Sequence, residues 1–146
     1  MQKNFDQSTE SKIYTLWNTS GAFNPDSVKH RSASSFSIIM PPPNANDPLH
    51  IGHAMFIAIE DILVRYHRMK GDDTVWIPGT DHAGIETQFV FEKKLAKTGS
   101  SRFHFDRESL YKAIMEYVHT NSDVAVSQMQ RLGASADWSR FRFTLD

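Results

Sequence analysis

Two short segments carry side chains able to do chemistry. The first, PPPNANDPLHIGH over residues 41–53, sets His50 and His53 three positions apart around Gly52. If that stretch opens a helix, the spacing lays both imidazoles on one face of its first turn. They then sit beside unpaired backbone N–H groups at the positive end of the helix dipole. Such a place suits a phosphate. Gly52 would let a nucleotide approach the backbone with no side chain in the way, and imidazole donors can follow charge developing on a phosphoryl group. The alternatives are a coincidental pair of surface or core histidines and a zinc site, the latter disfavoured by the missing i, i+4 spacing. The second segment, PGTDHAGIETQ over residues 78–88, sets Asp81 and His82 just after an apolar run. A carboxylate there can hold a ligand cation or cap the following helix.

The elements that must position these loops are legible as periodicities. Phe36 to Met40 is a short β-forming apolar run stopped by three prolines, and Thr74 to Ile77 is a second, ended by Pro78 and Gly79. Ile51, Met55, Ile59, Ile62, Tyr66 and Met69 recur at steps of three and four, with Glu60, Asp61, Arg65, Arg68 and Lys70 between them. This predicts an amphipathic helix with the apolar stripe inward, stopped by Gly71. Ile85 to Lys97 predicts another helix, and Leu110, Ile114, Val118, Ala125, Met129 and Leu132 a longer one from Asp106 to Gly133. DWSRFRFTLD at the end predicts a turn running into a strand. Upstream, residues 1–12 are expected to be a loose polar lead-in, and IYTLWNTSGAFNPDS a short helical packing element. Strands too apolar for a wet face, alternating with helices, predict an α/β fold with a parallel sheet flanked by helices, wound by right-handed crossovers.

Composition sets outer bounds. The chain has 146 residues, enough for one domain of about 100 to 200 residues. It carries 16 Lys+Arg against 17 Asp+Glu, so bulk charge gives no case for clamping a polyanion and phosphate recognition must be local. There is no cysteine, which excludes disulfides, thiolate zinc sites, iron–sulfur ligation and thiol nucleophiles within these residues, and fits the cytosol. No apolar run approaches the roughly 20 residues of a spanning helix, so no membrane partner is expected.

Together the two loops resemble the first half of the catalytic domain of the class I aminoacyl-tRNA synthetases, with LHIGH as that class's HIGH signature. Within the class, PGTDHAGI with Gln88 is similar to the valyl family. IYTLWNTSGAF (13–23), MPPPN (40–44), RYHRMKG (65–71) and LGASADWSRFRFTLD (132–146) extend the likeness from Ile13 to Asp146. The resemblance implies a partial Rossmann-like nucleotide-binding fold, with residues 1–35 as lead-in and packing helix. Residues 36–146 would be the first half of the catalytic domain, ending where an editing insertion would begin. It implies ATP-dependent activation of valine and its transfer to tRNA(Val), with Mg²⁺ accompanying the triphosphate and no protein-bound metal. His50 and His53 would be catalytic, and Asn46, His50, Gly52 and His53 would bind ATP. Pro41, Pro42, Asn44 and Asp81 would bind the amino acid, with Asp81 on its ammonium. Gly79, Thr80, His82, Gly84 and Gln88 would support the loop.

The family's usual Thr-Gly ahead of the signature is replaced by Asn46 and Asp47. Asn18 and Glu86 also differ from the usual glutamate and alanine, and neither is expected to touch the chemistry. The resemblance further implies a cytoplasmic parent acting as a monomer and meeting tRNA through regions outside these residues. The 146 residues alone should be inactive or very weak and prone to self-association. Two rival readings stay open: a stand-alone HIGH-superfamily nucleotidyltransferase, and a non-catalytic nucleotide- or tRNA-binding module. The first lacks a reason for the GTDHAG loop, and the second gains nothing from a near-neutral charge.

Overall fold

The structure, a computed structural model, describes residues 5–27 and 34–146. Residues 1–4 of the expected lead-in, and residues 28–33 just before the first strand, lie outside the described residues. Strand β1 (Ser35–Ile39) pairs in parallel with β2 (Asp73–Ile77), Ser35 opposite Asp73 and Ile39 opposite Ile77. Helix α2 (Ile51–Lys70) makes the crossover between them and ends at Gly71. Beyond Pro78 the chain resumes as β3 (Gly79–Thr80), which pairs in parallel with β4 (Arg142–Phe143). Helices α3 (Gly84–Lys97) and α4 (Arg107–Arg131) lie between these strands in sequence, and the Asp106 carboxylate caps α4 by accepting from Ser109 N–H at 2.7 Å. The expected α/β order and parallel pairing are what the chain forms. β3 was not expected, because Pro78 and Gly79 read as a stop when they interrupt one strand path.

The first helix departs from the expected lead-in. Helix α1 (Glu10–Thr19) starts inside the segment read as loose, after a 3-10 turn at Gln7–Thr9 whose entry Asp6 caps by accepting from Ser8 N–H at 3.0 Å. Tyr14 O–H donates to the Ala134 carbonyl at 2.7 Å and accepts from Trp138 Nε1 at 2.6 Å, tying α1 to the segment after α4. Burial of the phenol raises its pKa to about 12, so it stays protonated and keeps donating.

The core gathers Met40, Ile57, Val64, Trp76, Met129, Ala134 and Ala136, all buried. Helix α2 meets it with the opposite face from the one its apolar stripe predicts. Ile51, Met55, Ile59, Ile62, Tyr66 and Met69 are 54% to 86% exposed, whereas Ile57 and Val64 are buried and Glu60, Asp61 and Arg68 lie half-buried beside them. These polar groups turn inward because each finds a partner. Glu60 accepts from Trp76 Nε1 at 2.9 Å, and Asp61 accepts from Ser135 N–H at 2.9 Å and Arg65 Nε at 2.6 Å. The Arg68 guanidinium donates to Ser135 Oγ at 2.6 Å and to the Ser135 carbonyl at 2.8 Å. Fully bonded charges can be buried at modest cost, so periodicity alone misassigns the inward face.

Candidate active site

The loop between β1 and α2 ends in a reciprocal cap made of two histidines. His50 precedes the helix, and its Nδ1 accepts from Gly52 N–H at 3.0 Å, while His53 Nδ1 accepts from His50 N–H at 3.1 Å. The ring centroids are 3.9 Å apart. A neutral imidazole that accepts at Nδ1 carries its proton on Nε2, so each ring offers one Nε2–H donor. Burial, and then the nearby His50, lower the pKa of His53, which keeps that ring neutral at pH 7. The chemistry available to the two rings is therefore hydrogen-bond donation from Nε2–H.

Gly52 serves this cap. A Cβ at that position would lie 2.9 Å from His50 Cε1 and 3.0 Å from its Nδ1, so a side chain would displace the ring. Its N–H, expected to be free for a phosphate, is already occupied by His50.

The second cluster assembles at the carboxyl ends of the strands. Past β1 the pairing continues as a parallel bridge between Asn44 and Asp81, with Asp81 N–H donating to the Pro43 carbonyl at 2.8 Å and Ala45 N–H to the Asp81 carbonyl at 2.7 Å. This brings Asn44 and Asp81, 37 positions apart by their numbers, side by side. Asp81 Oδ1 accepts from Thr144 Oγ1 at 2.8 Å and from Ala83 N–H at 3.2 Å, and lies 3.2 Å from His82 Nδ1. Partial burial raises the carboxyl pKa, but the Thr144 and Ala83 hydrogen bonds and the neighbouring His82 outweigh it, leaving the pKa below the ordinary carboxylate value. Ala83 adopts φ 52°, a left-handed conformation that costs a non-glycine residue about 1 kcal/mol. That turn aims its N–H at the carboxylate. Asp81 is therefore held as an anion within the loop, and α3 begins with no side-chain cap.

Two residues at this cluster were not foreseen. Glu86, expected to stand apart from the chemistry, accepts from Asn44 Nδ2 at 2.8 Å and so fixes the amide of an expected amino-acid ligand. Thr144 reaches Asp81 from beyond β4, and only its place in the DWSRFRFTLD tail could have marked it. Of the other expected residues, Gly79 permits the β3–β4 approach, since a Cβ there would sit 2.7 Å from the Arg142 carbonyl oxygen. Thr80 is buried and pairs with Ser122 Oγ at 2.8 Å. Gln88 donates to Glu92 along α3 at 2.8 Å, away from this network, and Gly84 opens that helix. Pro41 and Pro42 are exposed ahead of the bridge, whereas Asn46 is only 7% exposed and its carbonyl accepts from Tyr117 O–H.

The profile of the family described as tRNA synthetases class I (I, L, M and V) matches residues 12–146, which takes in both loops and the tail. The chain belongs to the class I tRNA synthetases. Among relatives it is 51% identical over 144 residues to a chloroplastic/mitochondrial valine–tRNA ligase of Arabidopsis thaliana, covering 99% of this chain and 15% of that protein. It is 46% identical over 148 residues to the valine–tRNA ligase of Caulobacter vibrioides, covering 100% of this chain and 16% of the relative. The valine–tRNA ligase of Treponema denticola is 44% identical over 137 residues, covering 94% and 15%. The chain thus spans about one-sixth of the length of the valine–tRNA ligases it matches. The valyl resemblance seen in PGTDHAGI is borne out by these synthetases. Among the described residues no helix is long and apolar enough to cross a membrane.

Proposed function

We propose that this chain is the ATP- and valine-binding segment of a cytoplasmic valine–tRNA ligase. In that reading residues 1–35 are a packing lead-in and residues 36–146 the first half of the nucleotide fold. One observation carries it: Asp81, kept ionised and immobilised through Oδ1, stands beside Asn44 at the carboxyl ends of parallel strands. In open α/β sheets this is where ligands bind. An amino acid's ammonium needs such an anion, because a full positive charge in a half-buried site is costly without a partner.

The valine carboxylate oxygen attacks the α-phosphorus of ATP, the bond to the bridging oxygen breaks, and pyrophosphate leaves with its Mg²⁺. Negative charge grows on the non-bridging α-oxygens, toward which His50 and His53 donate from Nε2–H. A terminal ribose hydroxyl of tRNA(Val) then attacks the adenylate carbonyl and AMP departs. The Asn44–Glu86 contact supports the amino-acid end, and the carbonyls of Pro41 and Pro42 supply its remaining acceptors.

The test is titration of valine and of Mg·ATP into the chain, followed by calorimetry and NMR. Asp81→Asn is expected to weaken valine by about tenfold or more and to leave Mg·ATP unchanged, the loss of one charged hydrogen bond. Unchanged valine binding in that variant would refute the assignment.

A further inference from the structure

Thr144 joins Asp81, His82 and the end of β3. It follows β4 directly, and its N–H donates to the Thr80 carbonyl at 3.2 Å, so its backbone is pinned to the end of β3. Its Oγ1 lies 2.8 Å from Asp81 Oδ1, 3.0 Å from His82 N and 2.7 Å from His82 Nδ1. A hydroxyl has one proton and two lone pairs, whereas an ionised carboxylate only accepts and a backbone N–H only donates. One arrangement satisfies all three contacts. The hydroxyl proton goes to Asp81 Oδ1, one lone pair accepts from His82 N–H, and the other accepts from a proton on His82 Nδ1.

This fixes more than the threonine. His82 must carry a proton on Nδ1, which also makes its 3.2 Å approach to Asp81 attractive. His50 and His53, by contrast, keep Nδ1 as an acceptor. The same arrangement loads Oδ1 of Asp81 with Thr144, Ala83 and His82, and among the described residues none of these contacts falls on Oδ2. The carboxylate then cannot rotate without breaking the set. Threonine's branched Cβ restricts χ1 and holds the hydroxyl where serine would sample other rotamers.

We propose that Thr144 is the positioning residue of the amino-acid site, fixing Asp81 so that Oδ2 is the oxygen offered to the substrate's ammonium. The proposal rests on the reading that Asp81 takes up that ammonium. Thr144 touches no substrate and acts through Asp81 and His82.

The experiment compares the chain with its Thr144→Val, Thr144→Ser and Asp81→Asn variants. Valine and 3-methylbutanoate, which keeps the side chain and carboxylate but lacks the amine, are titrated into each. Histidine ring ¹⁵N shifts are recorded without ligand. Thr144→Val, close in shape, is expected to weaken valine about tenfold, to leave 3-methylbutanoate unchanged, and to shift the His82 Nδ1 resonance, since Asp81 alone then remains to accept that proton. Thr144→Ser is expected to retain the unsubstituted chain's Nδ1 resonance and most of the valine preference. If Thr144→Val keeps the valine preference while Asp81→Asn loses it, the positioning role is wrong and the ammonium reading stands. If Asp81→Asn also keeps the preference, the ammonium reading itself is wrong. An Nε2–H tautomer for His82 in the unsubstituted chain overturns the proposal regardless of ligand.

Discussion

At the scale of single residues the site is built from tautomers as much as from side-chain identities. His50 and His53 accept at Nδ1 from backbone N–H groups, so protonation of either Nδ1 removes an acceptor from the helix cap. The pKa of His53 is lowered in the folded chain, first by burial and then by His50, so the folded state binds this proton less readily than the unfolded chain. The contribution to stability is therefore intact above the unfolded value of about 6.5 and is lost as pH falls below it, through the lower folded value. Thermal denaturation is expected to show a midpoint falling as pH drops from about 7 to about 5, with a His53 component. His53→Gln keeps an acceptor at the third helical position without a titrating group, and should remove that component. Gly52→Ala should weaken the cap at every pH by about 1 kcal/mol, because its Cβ would occupy the space of the His50 ring. A pH profile identical in His53→Gln would contradict the cap's role.

At the scale of elements, α2 is the decisive case. Its inward face works through polar contacts to the 133–135 segment: Asp61 bonds Ser135, Arg65 donates to the Gly133 carbonyl at 2.9 Å, and Arg68 bonds Ser135 and the Phe23 carbonyl. Burial lowers the Arg68 pKa to about 10, which still leaves it cationic at neutral pH and able to donate. Removing the carboxylate would take the acceptor from Ser135 N–H, Ser135 Oγ and Arg65 Nε. Asp61→Ala is expected to cost about 2 to 3 kcal/mol in urea unfolding, more than truncating an exposed stripe residue such as Met55. Equal effects from the two substitutions would mean the apolar stripe is the packed face after all. The strand path shows a related economy, since Gly79 lets β4 approach closely and so delivers Thr144 to Asp81.

At the scale of the whole molecule, the apolar stripe of α2 lies on the surface, together with Ile85, Phe89 and Phe103. Contiguous apolar surface of more than a few hundred Å² favours association. The isolated chain is expected to associate as its concentration rises in sedimentation velocity, and the double substitution Ile59→Lys with Ile62→Glu to suppress this. A monomer at all concentrations before substitution would contradict the expectation.

Local pattern alone determined β1, β2, the ends of α2, α3 and α4, and the two loops, though not β3, because periodicity and Gly or Pro punctuation act over a few residues. Family likeness in the HIGH and TDHAG segments was equally local. What tertiary structure decided was partnership. The stripe of α2 read as a core face because hydropathy counts side chains without their bonds, and only the fold supplies Trp76, Ser135 and the 133–135 carbonyls that draw the charged face inward. Thr144 meets Asp81 across 63 positions and Asn44 meets Glu86 across 42. No periodicity spans such separations, because the strands that close them exist only once the chain has folded.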